Sequence, residues 1–216
     1  MLEVKNISTG YGKKQVLYNV SFNVADNEIV LLTGGNGSGK STVLKCIYGI
    51  LPTWNNEGQI FFNGKDLTKI HTSSMVNEGI VYIPQKNNYF EDFTIVENLK
   101  ISGSIYSAKE IKKRISFVYD ILPELKTQCN RTPYHLSGGE RQILVLGMSL
   151  IHQPKLVLFD EPLAGLDEKN TNSTTELIMR ITLEQDKSFL IVEHKNTFNL
   201  VTNNIIHLEL GKLVNA

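Results

Sequence analysis

Three stretches carry residues whose types and spacing could handle phosphate. The first is Gly34-Gly35-Asn36-Gly37-Ser38-Gly39-Lys40-Ser41-Thr42. It follows the apolar run Ile29-Val30-Leu31-Leu32 and precedes Val43-Leu44-Lys45-Cys46-Ile47, which has helical spacing. Strand, glycine loop and helix in that order are what G-x-x-x-x-G-K-[ST] needs to be a phosphate cradle. Glycines let successive backbone N–H groups turn inward around a triphosphate, and the helix start adds its positive end to the same anion. In such a cradle Lys40 reaches the β- and γ-phosphates and the Ser41 hydroxyl sits on Mg²⁺. The chain is expected to bind a nucleoside triphosphate.

The second stretch is Asp160-Glu161, at the end of Lys155-Leu156-Val157-Leu158-Phe159. Taken alone, two acids can simply end a strand at the surface. Beside a phosphate loop, Asp160 stands where a further Mg²⁺ contact belongs, direct or through water. Glu161 is then a candidate general base, or positioner, for the water that attacks the γ-phosphate, a role worth about 10²–10⁴-fold in rate. The third stretch, Leu136-Ser137-Gly138-Gly139-Glu140, has the S-x-x-E spacing of a capping box. Its two central glycines also expose backbone N–H groups at a helix start, a second anion site. Either the chain binds two anions, or this site serves a nucleotide held by another subunit.

The elements that must position these groups follow from hydrophobic periodicity. Leu2 to Ile7 and Val16 to Val24 alternate with period two and read as antiparallel strands, with Val16, Val20, Phe22 and Val24 on one buried face. Between them Thr9-Gly10-Tyr11-Gly12 reads as a flexible turn. Tyr11 there either packs locally or offers its ring for a base to stack on. Gln59-Ile60-Phe61-Phe62 reads as a strand closed by an Asn63-Gly64 turn, and Ile80-Val81-Tyr82-Ile83 as a short buried strand before Pro84-Gln85. From about Phe90 to His152 the pattern is helical, with a capping box at Thr94-Ile95-Val96-Glu97 and a helix over Lys109 to Leu122. Lys155 to Phe159 and Phe189-Leu190-Ile191-Val192 are continuous apolar runs, the profile of strands buried on both faces. A helix is expected over roughly Ser173 to Gln185, and a closing hairpin over Ile205 to Lys212. Strands alternating with helices imply an α/β domain, mostly parallel, with an antiparallel layer from the N-terminal third.

Bulk properties narrow the class. At 216 residues the chain accommodates one well-cored domain, or a domain carrying a subdomain. Lys plus Arg equals Asp plus Glu at 22 each, so no global field favours nucleic acid or anionic lipid. Between Lys100 and Arg131 there are seven basic and three acidic residues, which a solvated helix face explains better than nucleic-acid binding. Only Cys46 and Cys129 occur, which fits a reducing cytosol rather than a disulfide framework. No secretory signal opens the chain, and no apolar run approaches the ~18 residues of a membrane span, so a membrane role would come through partner chains.

Taken together, these landmarks resemble those of an ATP-binding cassette (ABC) ATPase over the whole chain. In order, the resemblance makes Tyr11 the base-stacking aromatic, Gly34 to Thr42 Walker A, and Gln85 the Q-loop residue. Leu136 to Glu140 matches the ABC signature, Leu156 to Asp160 with Glu161 matches Walker B and the catalytic glutamate, Leu166-Asp167 the D-loop, and His194 the switch histidine. It implies a P-loop NTPase (RecA-like) fold, with core 1–85 and 153–216 and an inserted helical subdomain about 86–152. It implies ATP and Mg²⁺ as cofactors, with Glu161, His194 and Lys40 catalytic and Ser41, Gln85 and Asp160 on the metal. It further implies a head-to-tail dimer, in which Walker A of one subunit and Ser137, Gly138, Gly139 and Glu140 of the other enclose each ATP beside Asp167. Gln85 would sit at the hinge between core and arm, and His194 would hold γ-phosphate and water in line; taken alone it is a strand-end histidine.

The sequence departs from the family pattern in three places. Gly35 stands where proline is common. The D-loop reads Leu163-Ala164-Gly165-Leu166-Asp167 rather than the frequent S-A-L-D. The chain stops just after Gly211-Lys212-Leu213-Val214, where the minimal cassette ends, implying no C-terminal regulatory domain. Among functional classes, the energising subunit of a membrane transporter competes with a soluble ABC ATPase remodelling nucleic acid or ribosomes, and with a scaffold that binds ATP without turnover. About a hundred residues separate Gly34 from Leu136 without sustained heptads, and only one cassette is present, which disfavours the soluble class. The scaffold is disfavoured by the presence of Lys40, Asp160, Glu161 and His194. The expected partners are transmembrane permease subunits and a second cassette, identical or paralogous, with the chain peripheral on the cytoplasmic face. Gly64 to Thr68, Gly79 to Gln85 and Phe93 to Leu99 resemble branched-chain amino acid and urea uptake cassettes. Lipopolysaccharide exporters share many of these features, so cargo and direction stay open.

Overall fold

The computed structural model describes residues 1–54, 58–86, 88–193, 202 and 204–214. Strands β1 (Leu2–Tyr11) and β2 (Lys14–Val24) form an antiparallel hairpin. Tyr11 is therefore a strand residue paired with Lys14, and the turn shrinks to Gly12-Lys13, a correction to the flexible-turn expectation. The expected face of β2 also slips. Asn19 adopts a positive φ of 51° at an irregularity in the pairing. Residues before it change sides, so Leu17 is buried and Val16 only half-buried, while Phe22, beyond it, stays on the face of Val20 and Val24 and is half-buried against the same core. β4 (Gln59–Phe62) and β5 (Lys65–Asp66) complete a sheet of order β2-β1-β4-β5.

A second sheet holds β3 (Ile29–Thr33), β6 (Ile80–Ile83), β7 (Leu156–Asp160), β8 (Ser188–Val192), β9 (Ile205–Glu209) and β10 (Lys212–Val214), in the order β10-β9-β3-β8-β7-β6. Its pairs are parallel except β10 against β9. Period two divides its side chains between two cores. Leu32, Leu158 and Leu190 face the antiparallel sheet and helix α1 (Lys40–Ile47). Leu31, Val157 and Phe159 face the helices inserted between β6 and β7. Each fully buried side chain of this size contributes about 1.5–3 kcal/mol.

The inserted helices are α2 (Ile95–Ser102), α3 (Ala108–Ile121), α4 (Pro123–Thr127) and α5 (Gly138–Leu150). Thr94 and Ser137 close full capping boxes with Glu97 and Glu140. Helix α6 spans Glu168–Glu184 and starts five residues before the expected Ser173, because the Asp167 side chain caps it by accepting from the Asn170 N–H. Among the described residues, no helix is long and apolar enough to cross a membrane.

Candidate functional site

The phosphate loop lies between β3 and α1 and is fixed from outside. The Gly211 N–H, in the β9–β10 turn, donates to the Ser38 carbonyl at 2.9 Å. Gly34 (φ 146°) passes so close to β9 that a Cβ there would stand 2.1 Å from the Leu208 carbonyl oxygen. Gly39, the N-cap of α1, brings no side-chain cap, so the first-turn N–H groups remain available to an anion. Ser38 Oγ is buried without a hydrogen-bond partner, an orphan donor that a phosphate oxygen would satisfy.

Lys40 is 5 % exposed, and its Nζ donates to the carbonyls of Gly34 and Gly35, both at 2.9 Å. The loop thus wraps around its own ammonium. Burial holds the Lys40 pKa below the ordinary lysine value, opposed by the nearby carboxylates of Glu161, Asp160 and Glu193.

Asp160 falls on the α1-facing side of β7, two and four residues after Leu158 and Leu156. It is 4 % exposed; Ser41 Oγ donates to its Oδ1 at 2.9 Å and Tyr82 Oη to its Oδ2 at 3.2 Å. Burial pushes its carboxyl pKa up, and the Ser41 and Tyr82 hydrogen bonds pull it back. A hydroxyl and a carboxylate side by side are the hard oxygen donors that suit Mg²⁺, which takes one or two protein ligands and fills its shell with phosphate and water. The residues present fit that ion.

Glu161 adopts φ 51°, a region non-glycine residues seldom occupy, while its N–H still donates to the Val192 carbonyl at 2.9 Å. Such strain persists where the surroundings over-determine it, and it clusters at working sites. The Gln85 amide donates to Glu161 Oε2. Gln85 is thus placed against Glu161 rather than against the Ser41–Asp160 pair. Tyr11, Asn36, Gly37, Gly39, Lys40, Ser41, Thr42 and Glu161 line one cleft of about 340 Å³ with Lys14 and Val16. Tyr11 is 48 % exposed, with Lys45 Nζ 5.9 Å from its ring centroid.

The signature lies elsewhere. Gly138 lines a separate groove of about 660 Å³ with Gln85, Arg141 and Leu166, and shares no residue with the phosphate-loop cleft. Ser137 N–H donates to Glu140 Oε2 at 2.7 Å, and Gln128 donates to Glu140 Oε1 at 3.0 Å. Asp167, expected at nucleotide, accepts from Asn170 N at 2.8 Å and Nδ2 at 2.9 Å. His194 lies outside the described residues.

Two residues escaped the sequence reading. Tyr82 read as a core strand residue; its register beside Asp160 shows only when β6 and β7 are paired. Glu193 is 2 % exposed, and its Oε2 accepts from the Leu163 N–H at 3.0 Å, fastening the loop after Glu161. A carboxylate directly after the apolar run Phe189 to Val192 was its available signal.

Comparison with known proteins agrees with this layout. Residues 17–164 match the ABC transporter family. The chain is 35% identical over 193 residues to a probable branched-chain amino acid transport ATP-binding protein, LivF, of Archaeoglobus fulgidus, covering 89% of this chain and 81% of that one. It is 32% identical over 214 residues to the high-affinity branched-chain amino acid transport ATP-binding protein BraG of Pseudomonas aeruginosa, covering 99% and 91%. Among solved structures, an ATP-binding cassette in a dimeric post-hydrolysis state bound to ADP and Pi superposes with TM-score 0.83 at 25% identity, covering 100% and 97%.

Proposed function

The chain belongs to the ABC transporter family, and from that premise we propose how its residues divide the work of a transport ATPase. It is the ATP-binding, ATP-hydrolysing component of such a system, of the type that resembles branched-chain amino acid cassettes. Nothing favours the alternative of a nucleic-acid or ribosome remodeller. One observation carries the site assignment: Lys40 in the centre of the loop, with Ser41 Oγ 2.9 Å from the buried Asp160.

In this reading the base stacks on Tyr11. The N–H groups of Gly34 to Thr42 surround the phosphates, and Lys40 exchanges its two carbonyl partners for β- and γ-oxygens. Ser41 and Asp160, joined by Gln85, would hold Mg²⁺, which when bound would neutralise charge on the phosphates. Glu161 orients the attacking water and takes its proton, aided by His194. The Gln85 amide, donating to Glu161 Oε2, links the Q-loop residue directly to the carboxylate that lines the cleft. Residues 1–85 with 153–216 act as the core and about 86–152 as a helical subdomain.

Separate clefts for phosphate loop and signature support a head-to-tail dimer, in which Ser137 to Glu140 of a second cassette, with its Asp167, close over the nucleotide. Transmembrane permease subunits dock on this pair, placing the chain on the cytoplasmic face of the membrane. The relatives named for branched-chain amino acid transport support work in a transport system of that kind. The test is Glu161→Gln: the variant binds ATP, accumulates as an ATP-dependent dimer, and turns over at least ~10²-fold more slowly. Unchanged ATPase activity removes Glu161 from its role.

A further inference from the structure

The Asp160 carboxylate is held by two donors, and only one of them belongs to the phosphate loop. The other comes from the neighbouring edge strand. In the parallel register Tyr82 stands opposite Leu158. Asp160 is two residues beyond Leu158 and so projects from the same face, where a long side chain reaches it diagonally. The Tyr82 hydroxyl uses that reach, donating to Oδ2 at 3.2 Å while Ser41 takes Oδ1 at 2.9 Å. With one donor on each oxygen, the plane of the carboxylate is set from two sides. The ring itself is clamped against Tyr48, the C-cap of α1, with centroids 5.7 Å apart and planes tilted by 41°.

We propose that Tyr82 is a positioning residue for the Mg²⁺ site: its hydroxyl orients Asp160 so that the oxygen shared with Ser41 is presented to the ion. This rests on the reading of Ser41 and Asp160 as the Mg²⁺ ligands. Partners that orient a ligand from behind set metal affinity almost as strongly as the ligands do, typically by 10–100-fold. Tyr82→Phe removes the hydroxyl and keeps the ring against Tyr48.

The experiment titrates a non-hydrolysable ATP analogue into the full chain at stepped Mg²⁺ concentrations and in EDTA, alongside thermal melting without ligand. For Tyr82→Phe the expected result is an affinity in EDTA within about 2-fold of wild type, with half-saturating Mg²⁺ raised ~10-fold, the lower end of that range because the contact is long. Ser41→Ala raises it in the same direction, and the double variant falls short of the product of the two effects. An unchanged Mg²⁺ requirement overturns the proposal whatever the melting temperature does. Equal weakening with and without Mg²⁺ also overturns it, because that marks general loosening. If the wild type gains nothing from Mg²⁺ and Ser41→Ala changes nothing, the Mg²⁺ site itself is wrong, a failure distinct from that of Tyr82 alone.

Discussion

Gly34 and Gly35 are neighbours in the same loop, yet the structure assigns opposite consequences to filling them. An alanine at 34 would place its Cβ 2.1 Å from the Leu208 carbonyl oxygen and 2.8 Å from Ser38 Oγ, at a φ of 146°. The near atom is backbone of β9 and cannot rotate away. Holding an L-residue in that region costs about 1–3 kcal/mol, and forced overpacking about 1–3 more. Partial relaxation leaves Gly34→Ala about 2–5 kcal/mol less stable. At ~2–4 °C per kcal/mol for a chain of this size, the melting temperature drops by about 4–20 °C. Gly35 has nothing within 4 Å of its built Cβ and is absent from the positive-φ residues. Gly35→Ala therefore stiffens mainly the unfolded chain and lands between neutral and about 1 kcal/mol more stable. Calorimetric melting of the two variants without nucleotide gives the comparison. A Gly34→Ala melt within ~2 °C of wild type, or a Gly35→Ala melt that falls as far as Gly34→Ala, refutes the packing argument.

Two further outcomes are expected. In a Glu161→Gln background, Ser137→Arg abolishes the ATP-dependent dimer on size exclusion while each monomer still binds nucleotide. Loss of the Ser137 cap costs only ~1 kcal/mol, so a dimer that survives rejects the composite site. Stability also falls as pH drops below about 6.5. His152 Nε2 lies 3.4 Å from Ser102 Oγ, which itself donates to the Met148 carbonyl, and Nδ1 lies 3.3 Å from Tyr106 Oη. Burial first, and then the charge of Arg114, hold its pKa below the ordinary histidine value. The unfolded chain therefore takes the proton sooner. The His152 contribution is complete above the unfolded pKa and is lost as pH falls toward the folded one, at no more than ~1.4 kcal/mol per pH unit. Denaturant titrations from pH 7.5 to 5 compare wild type with His152→Gln, and identical slopes contradict this.

The parallel core was legible because a strand buried on both faces must be written as an unbroken apolar run, as in Leu156 to Phe159. The phosphate loop was legible because its glycines, Lys40 and Ser41 leave few alternatives at that spacing. What escaped depends on contacts distant in sequence. The slip in β2 comes from the positive φ of Asn19, which composition does not reveal. The first turns of α6 read Asn170-Thr171-Asn172-Ser173-Thr174-Thr175, poor helix formers, and the pattern pointed to a later start. Burial of Thr171, Thr174 and Thr175 against the core overrides that preference. Tyr82 and Glu193 each carry a polar group at an apolar strand, and the partner of each lies on another element.

Gly138 and Gly139 gain a second explanation from the fold. The sequence suggests that glycine there exposes backbone donors to an anion. A Cβ on Gly138 would stand 2.9 Å from Leu166 Cδ2, and one on Gly139 would stand 2.3 Å from Asn170 Oδ1. These glycines let the N-termini of α5 and α6 meet. Asn170 cannot swing aside freely, since its Nδ2 donates to Asp167 Oδ2 at 2.9 Å and its N–H to Oδ1 at 2.8 Å. Signature and D-loop therefore form one corner, with the caps of both helices satisfied inside the chain. A corner already complete in its own hydrogen bonds can meet a nucleotide as a preformed surface, without reorganising its caps. Under the proposed dimer, the entropy of assembling this half of the site is lost at folding, and ATP on the opposing phosphate loop encounters two helix ends already aligned.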